Sequence, residues 1–331
     1  MNKFGKYSCL FLLLLHAAIL NGCSGVPKAP PLPSASATYE AIDDQGTVVK
    51  MRAKPQRVIT THFHLDTMVL GIVPPQRMAA ISQTAFDPNV SYMVQEAEPI
   101  QQRMQEISLE KVVSLQPDLI IVRETTGAEK VQSFREMGIP VFVVKAANSV
   151  DEVKDNIRSL AQVLGEPTSG EKIIEKMDRQ LEQIDYGIKT YKFVSKSCVL
   201  VSKMNHTYGG KGCMFDDMCH YAGVKNAVAE IGVQNGQIIS KEVMVKANPD
   251  FFLLSQSWEL KHSNSSSYKD EFLDDPAFRS LKAAQTGQAI YFLDKYLYAS
   301  HQNCVWAIMK IANAAYGDVF DLKEESFIKG Y

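Results

Sequence analysis

One stretch of this chain occurs twice, and this repeat constrains the fold more than any other feature. The copies cover residues 108–122 and 240–254, with Ser, Glu, Pro and Asp recurring at one offset of 132 residues. In each copy a Ser caps a short helix and a Glu lies in its first turn. Pro-Asp then ends the helix, because the residue before proline is pushed out of the α region, and an apolar run typical of a doubly buried strand follows. The repeat therefore predicts two similar α/β lobes.

The N-terminus has the pattern of an export signal. Two lysines precede an apolar run over residues 9–20, which is too short and too early for a membrane-spanning helix. The run ends in Leu-Asn-Gly before Cys23, which resembles the bacterial lipobox and implies cleavage before Cys23 and a lipid on its sulfur. The alternative is a secreted protein in which Cys23 is incidental. Residues 1–22 are expected to be a signal peptide, and residues 23–38, rich in Pro, Ser and Ala, a lipidated flexible tether.

The charge balance excludes one class of partner. The chain has 35 Lys and Arg residues against 37 Asp and Glu residues, a formal net charge of −2. A nucleic-acid-binding protein would show a basic stripe, so no nucleic acid is expected as a partner. With 46% hydrophobic residues, the chain can bury two cores.

Four cysteines lie beyond the predicted signal and lipidation site. Export permits disulfides among them, and spacing alone leaves the pairing open for Cys198, Cys213, Cys219 and Cys304. Cys198 lies in a strand-like apolar run, which favours a buried thiol.

Helices and strands alternate along the rest of the chain, which predicts parallel sheets with helices on both faces. A first lobe is expected over residues 39–165, opening with a hairpin at Asp43-Asp44-Gln45-Gly46. A long amphipathic helix within residues 166–190 is a candidate connection to a second lobe over residues 191–331. The expected fold class is α/β.

Five short segments occur in a specific order along the chain. They are Arg57-Val58-Ile59, Ser108-x-Glu110 through Pro117-Asp118-Leu119-Ile120, Gly138-Ile139-Pro140-Val141, Gly223-x-x-Asn226, and Ser240-x-Glu242 through Pro249-Asp250. The ordered set resembles the cobalamin-, haem- and ferric-siderophore-binding proteins of bacterial ABC importers, the class with a rigid interlobe helix. The resemblance implies two Rossmann-like lobes joined by a single long helix, with a ligand cleft between the lobes.

The same resemblance implies the partners. It predicts a monomer without enzymatic activity and without a cofactor or metal of its own. It further predicts that the protein binds a small-molecule metal chelate and meets an ABC permease dimer with its ATPase. The membrane would be contacted through the lipid anchor only, on the periplasmic or outer-surface side.

The resemblance gives Glu110 and Glu242 a role in docking. In the family, a Glu on each lobe enters Arg pockets of the paired permease subunits, because a two-lobed protein that meets a two-fold permease needs one charged anchor per lobe. The alternative is that each Glu only complements its helix dipole, a small effect.

The resemblance also suggests ligand contacts at the cleft. His64 follows the first core strand, and Arg123 ends the strand of the first repeat copy, where a cation could pair with a haem propionate or an anionic siderophore. Met104 could ligate haem iron, although methionine more often fills gaps in cores. Three aromatic residues could stack on a flat ligand or simply pack: Tyr208, Trp258 and Tyr298.

One segment supports a competing interpretation. His62, His64 and Asp66 resemble the His-x-His-x-Asp-His motif of metallo-β-lactamase-fold hydrolases, which holds zinc and activates water. Thr67 stands where the final His is expected, so a ligand of the second metal is missing. An exported zinc hydrolase is therefore the alternative of a different class.

The sequence thus predicts a lipid-anchored substrate-binding component of an ABC importer. Its expected ligand is a ferric siderophore or a haem-type iron complex, and cobalamin or another corrinoid is the alternative ligand of the same class.

Overall fold

The computed structural model describes most of the chain beyond the predicted tether. The described residues are 39–106, 108–202, 206–256, 268–323 and 325–331. The predicted signal peptide, the tether with Cys23, and Trp258 lie outside them. Within the described ranges, no helix is both long and apolar enough to cross a membrane.

An antiparallel hairpin precedes the first sheet. Strands β1 (Tyr39–Ile42) and β2 (Val48–Met51) pair along their length. In the turn, the Asp43 carboxylate accepts a hydrogen bond of 2.8 Å from the backbone N–H of Thr47. Gly46 has a φ of 78°, a conformation that glycine adopts without steric cost. The predicted hairpin is confirmed.

A five-stranded parallel sheet forms the first lobe. Its strands lie in the order β5-β4-β3-β6-β7, and in sequence they are β3 Val58–Thr60, β4 Met78–Ser82, β5 Arg103–Met104, β6 Leu119–Arg123 and β7 Val141–Val144. The accompanying helices are α1 Phe63–Ile72, α2 Val94–Ala97, α3 Leu109–Ser114, α4 Ala128–Glu136 and α5 Val150–Leu164.

A four-stranded parallel sheet forms the second lobe, with strand order β11-β10-β8-β9. Its strands are β8 Ser197–Val201, β9 Lys225–Asn226, β10 Phe251–Ser255 and β11 Ala289–Phe292. Its helices are α7 Met214–Tyr221, α8 Ala227–Glu230, α9 Lys241–Ala247, α10 Tyr268–Leu273, α11 Lys282–Gln285, α12 Asp294–Leu297 and α13 Cys304–Tyr316. The two sheets confirm the predicted α/β class.

One long helix, α6 (Pro167–Tyr191), links the two sheets in the chain. Its 25 residues span about 37 Å at 1.5 Å per residue. Proline at its first turn suits a position where the backbone N–H has no helical partner. The predicted apolar stripe is buried, namely Ile173, Ile174, Met177, Leu181 and Ile184. The long helix is confirmed, while the exact lobe boundaries stay a prediction.

The first sheet is buried on both faces, as the apolar runs predict. In β6, Leu119 and Ile121 belong to one core cluster, whereas Ile120 and Val122 belong to another. This alternation follows from the two-residue period of a strand. The cluster on the first face continues through α5 and α6 and includes Leu200 of β8, so a shared core connects the two lobes.

The helices of the two repeat copies begin and end alike. Ser108 Oγ accepts a hydrogen bond of 3.2 Å from the Lys111 N–H, as a helix cap does. Ser240 Oγ caps α9 in the same way. The residues before the prolines, Gln116 and Asn248, have φ values of 47° and 43°. The chain therefore leaves both helices in the left-handed region, which is common at helix ends, and not in the extended conformation.

The Asp of each Pro-Asp pair fixes the start of the first strand of its parallel sheet. Asp118 Oδ1 accepts a hydrogen bond of 2.9 Å from the backbone N–H of Arg57, immediately before β3. Asp250 Oδ2 accepts one of 2.8 Å from the N–H of Ser197, the first residue of β8. These matching contacts give a physical reason for the repeat, because each one aligns two neighbouring parallel strands.

Candidate functional site

Polar side chains from both lobes lie beyond the carboxyl ends of the central strands. His62 follows β3 by two residues, and Arg123 is the last residue of β6, the neighbour of β3 in the sheet. Ser202 directly follows β8 in the second lobe. Ligands of open α/β sheets bind at this end of the strands, so this region is the candidate site.

His62 and Arg123 are in direct contact at the site. Arg123 Nη1 lies 3.2 Å from His62 Nε2, and the other ring nitrogen, Nδ1, lies 3.3 Å from the backbone nitrogen of His64. Burial, together with the positive charge of Arg123, lowers the pKa of His62 to about 4. The ring is therefore neutral near pH 7, with one N–H and one lone pair. Since both neighbours are donors, His62 cannot accept hydrogen bonds from both.

The Arg123 guanidinium has unused hydrogen-bonding capacity. Its Nη2 pairs with Glu124 Oε1 at 3.3 Å, and its side chain is 24% exposed. Arg123 Nε and Glu124 Oε2 are buried and have no hydrogen-bond partner within the described part of the chain. A buried unpaired donor is costly, so an acceptor that reaches this corner would gain a charge-assisted contact.

His64 bridges the two lobes. Its Nε2 lies 2.7 Å from the carbonyl oxygen of Tyr298, the residue that follows α12. Burial, followed by the neighbouring His62 and His301, lowers the pKa of His64 well below its ordinary value. A neutral ring donates Nε2–H to this carbonyl, so Nε2 is already engaged within the protein.

His62 and His64 lie at the start of α1. The helix α1 begins at Phe63, because His62 acts as its N-cap and accepts from the His64 N–H. Histidine is not among the preferred capping residues, so no local pattern marks this helix start. Both histidines therefore belong to a helix N-terminus and not to a loop after a strand.

Tyr208 and Tyr298 form an aromatic pair on the second lobe. Their ring centroids are 5.4 Å apart with an interplanar angle of 41°, and both side chains are partly exposed. The Tyr298 hydroxyl lies 2.7 Å from Ser202 Oγ, and burial raises its pKa to about 12. The structure thus connects His64, Arg123, Tyr208 and Tyr298 near the strand ends, since Arg123 contacts His62, the His62 and His64 rings are neighbours, His64 contacts Tyr298, and Tyr298 pairs with Tyr208.

Met104 is not placed with these residues. Its side chain is 6% exposed and belongs to a core cluster with Ile59 and Val112. This position favours packing over iron ligation. Trp258 lies outside the described residues.

His301 is a site neighbour that sequence reasoning missed. Its ring centroid lies 5.8 Å from those of His64 and Tyr92, and its side chain is buried. It precedes α13 in the polar trio His301-Gln302-Asn303, a pattern typical of a helix start. His301 and His64 are 237 positions apart in the chain, so no local sequence pattern indicates that their rings are neighbours.

Acid is expected to destabilise the wild-type protein more than the variant His301→Gln. Burial lowers the folded-state pKa of His301 to about 3, from 6.5, so its contribution is complete above pH 6.5 and is lost as the pH falls towards 3. Between pH 7.5 and pH 5, the wild type should lose about 2 kcal/mol of unfolding free energy relative to the variant. Denaturant titrations at both pH values measure this difference.

The control for this experiment is His220→Gln, which changes an exposed histidine at the end of α7. Burial raises the pKa of Asp66 to about 7. Asp66 therefore has the opposite effect: its contribution to the unfolding free energy is lost as the pH rises from about 4 to 7. Asp66 is present in every protein compared, so its effect cancels in the difference. An equal acid response of wild type and His301→Gln would contradict a neutral, buried His301.

A recess of about 490 Å³ lies between the start of α5 and the start of α7. Its acidic lining is used for capping. Asp217 Oδ2 accepts from the Val150 N–H at 2.7 Å, and Asp216 Oδ2 accepts from the Gly212 N–H at 2.9 Å. The Asp217 contact also joins the two lobes, so this recess has a structural role at their junction.

The sequence profile of a family described as "Periplasmic binding protein" matches residues 58–297, more than two thirds of the chain. The chain belongs to the periplasmic binding protein family. The match includes both sheets and the long helix, so the fold and the family agree.

Relatives and solved structures resemble this periplasmic binding protein over most of its length. The uncharacterized ABC transporter substrate-binding lipoprotein YvrC of Bacillus subtilis (strain 168) is 26% identical over 261 residues, covering 75% of this chain and 80% of that protein. The vitamin B12-binding protein of Vibrio parahaemolyticus is 20% identical and covers 69% and 86%. The periplasmic heme-binding protein RhuT of Roseiflexus sp. RS-1, solved in apo form, has a TM-score of 0.67 at 20% identity and covers 80% and 99%. This last similarity shows the fold.

Proposed function

We propose that this periplasmic binding protein is the substrate-binding component of an ABC importer that captures a ferric siderophore or a haem-type iron complex between its lobes. It then delivers the ligand to a permease dimer with its ATPase. The observation that carries the proposal is the family match across both lobes. It is supported by a sequence relative named as an ABC transporter substrate-binding lipoprotein and by the fold shared with a periplasmic heme-binding protein.

The polar groups at the strand ends favour an anionic, partly flat ligand. The Arg123 side chain is 24% exposed, and a guanidinium binds carboxylates through its planar fork. Tyr208 and Tyr298 offer aromatic surface on the opposite lobe. His64 would contact the ligand with its ring, because its Nε2 is engaged by Tyr298. A carboxylate-bearing chelate fits this combination best.

The conflict at His62 supports the same ligand chemistry. In the tautomer that carries a proton on Nε2, Nδ1 accepts from the His64 N–H, and two donors then face each other between His62 and Arg123. A ligand carboxylate that enters between them would accept from both. His62 is thereby proposed as a ligand contact in addition to the six residues selected from the sequence.

A corrinoid is the second candidate ligand. The observation that favours it is the vitamin B12-binding relative, of which this chain covers 86%. The corrin side chains of cobalamin are amides, so it would gain less from Arg123 than a carboxylate chelate does. Titrating haem, a ferric siderophore and cyanocobalamin into the purified protein, with tryptophan fluorescence as the signal, ranks the three. Submicromolar binding of at least one is expected, and binding of none would contradict the importer proposal.

The competing zinc hydrolase is not favoured by the geometry. Asp66 Oδ2 accepts hydrogen bonds from the hydroxyl and the backbone N–H of Ser82, and Nε2 of His64 is bonded to Tyr298. Among the residues that the structure describes, no group of three or more His, Cys, Asp or Glu side chains could hold a metal ion. His62, His64 and Asp66 therefore do not present a joint ligand set.

Membrane attachment is proposed to depend on the lipid at Cys23. Cys23→Ala is expected to move the protein from the membrane fraction to the soluble fraction, because the lipid on the Cys23 sulfur is the anchor that the lipobox resemblance implies. Cys9→Ala, which changes the other cysteine of the N-terminal segment, is the matched control and should still pellet with membranes. If Cys23→Ala also pellets after a salt wash, the anchor is a different one.

Glu110 and Glu242 are proposed as the permease-docking residues. Both side chains are exposed, in the first turns of α3 and α9. The Ser240 hydroxyl lowers the pKa of Glu242, which keeps this carboxylate charged. Equivalent exposed charges on the two lobes suit a partner with two-fold symmetry.

A further inference from the structure

The four described cysteines beyond the lipidation site are all buried in or beside the second lobe. Cys198 lies in β8, Cys213 and Cys219 lie at the start and near the end of α7, and Cys304 begins α13. All four are buried and carry free thiols in the structure. Two of them are neighbours: Cys198 Sγ lies 3.7 Å from Cys219 Sγ, across the interface of β8 and α7.

Cys198 and Cys219 lie on either side of the segment that contains Tyr208, a proposed ligand contact. Cys198 and Cys219 are 21 residues apart, and the chain between them includes the loop that carries Tyr208 and the Gly-rich turn up to Gly212. Asn226 also supports this loop, since its Nδ2 donates to the Gly209 carbonyl at 2.9 Å. A covalent link between β8 and α7 would therefore hold both ends of the loop that faces the candidate site.

We propose that Cys198 and Cys219 form a disulfide in the exported protein. In the reaction, one thiolate attacks a sulfur of an external disulfide oxidant and releases one of its thiols. The second cysteine then attacks the mixed disulfide and releases the other thiol. The pair loses two protons and two electrons, and the oxidant is reduced from a disulfide to two thiols. The proposal rests on export, which favours such oxidants, and not on the identity of the ligand.

The packing determines when this bond can form. Both side chains are at most 1% exposed, and burial, together with the hydrogen bond to Cys198, raises the pKa of Cys219 well above its ordinary value. Exchange needs a thiolate and access to the oxidant. The bond is therefore made while α7 is still open and is protected from reduction once α7 packs on β8.

The test is a thiol map of the exported full-length protein. The exported protein is isolated, trapped with acid and alkylated in denaturant, then reduced and labelled with a second reagent. Cys213 and Cys304 are expected to take the first label, and Cys198 and Cys219 only the second. Digestion without reduction should release one linked peptide that contains Cys198 and Cys219. First-label alkylation of all four cysteines, or a linked peptide with a different pair, would overturn the proposal.

Thermal unfolding adds a readout of stability. A disulfide that closes a loop of this size raises the midpoint of unfolding, so reductant added to unfolded and refolded wild type should lower Tm by several degrees. The Cys198→Ala/Cys219→Ala variant should show no response to reductant, whereas Cys213→Ala should respond like wild type. A response that persists in the double variant would assign the bond to other cysteines.

Discussion

Replacing Glu110 and Glu242 together by alanine is expected to abolish uptake while ligand affinity stays unchanged. The two residues occupy matching positions in the repeat and are exposed in the first turns of α3 and α9. Among the described residues, neither carboxylate forms a hydrogen bond or an ion pair with His62, His64 or Arg123. Each lost hydrogen bond to a charged partner costs about 1.5–3 kcal/mol. Two losses therefore weaken docking by roughly a hundredfold to twenty-thousandfold.

The measurement is uptake of the radiolabelled chelate by cells that lack the chromosomal copy. Glu129→Ala/Glu230→Ala is the matched control, because it also removes one first-turn acidic residue from each lobe. This control should transport at the wild-type rate. The two single variants, Glu110→Ala and Glu242→Ala, should each retain part of the uptake. Normal uptake by the Glu110/Glu242 double variant would contradict the docking role.

Arg123→Ala is expected to weaken ligand binding by about ten- to more than a hundredfold. The reason is the loss of a charge-assisted contact, worth about 1.5–3 kcal/mol, at a guanidinium whose Nε has no partner in the described chain. Arg123→Lys keeps the charge but not the planar fork and should be intermediate. Titrations followed by tryptophan quenching measure the affinities.

Tyr208→Ala tests an aromatic contact in the same titration that tests the charge of Arg123. It removes one aromatic contact, on the order of 1 kcal/mol or about fivefold in affinity, and Tyr208→Phe should bind nearly as tightly as wild type. Lys172, exposed on α6, offers the control Lys172→Ala, which should leave the affinity unchanged. If Arg123→Ala and Tyr208→Ala both bind within about twofold of wild type, the ligand is held elsewhere and these residues have packing roles.

The repeat allowed the sequence to predict most of the fold. Caps at Ser108 and Ser240, helix ends before the two prolines, and the doubly buried strands after them are local consequences of short patterns. The contacts of Asp118 and Asp250 with the preceding strands are not visible in either copy alone. They become interpretable because the same residue recurs at the same offset in both lobes.

The candidate site was less predictable, because it depends on distant contacts. The contact between Arg123 and His62 joins residues 61 positions apart, and that between His64 and Tyr298 joins residues 234 positions apart. Met104 was a plausible ligand by residue type, but its place in β5 directs its side chain into the core. The role of His62 as a helix cap also overrides its resemblance to a zinc motif.

The most direct test of the central claim is to identify what the protein carries in its native host. The protein is isolated from cells grown with limiting iron, its metals are quantified, its absorbance spectrum is recorded, and bound small molecules are extracted for mass spectrometry. The importer proposal predicts visible absorbance and about one iron chelate or haem per chain, without stoichiometric zinc. One zinc per chain with no extractable chelate would contradict it and favour the hydrolase.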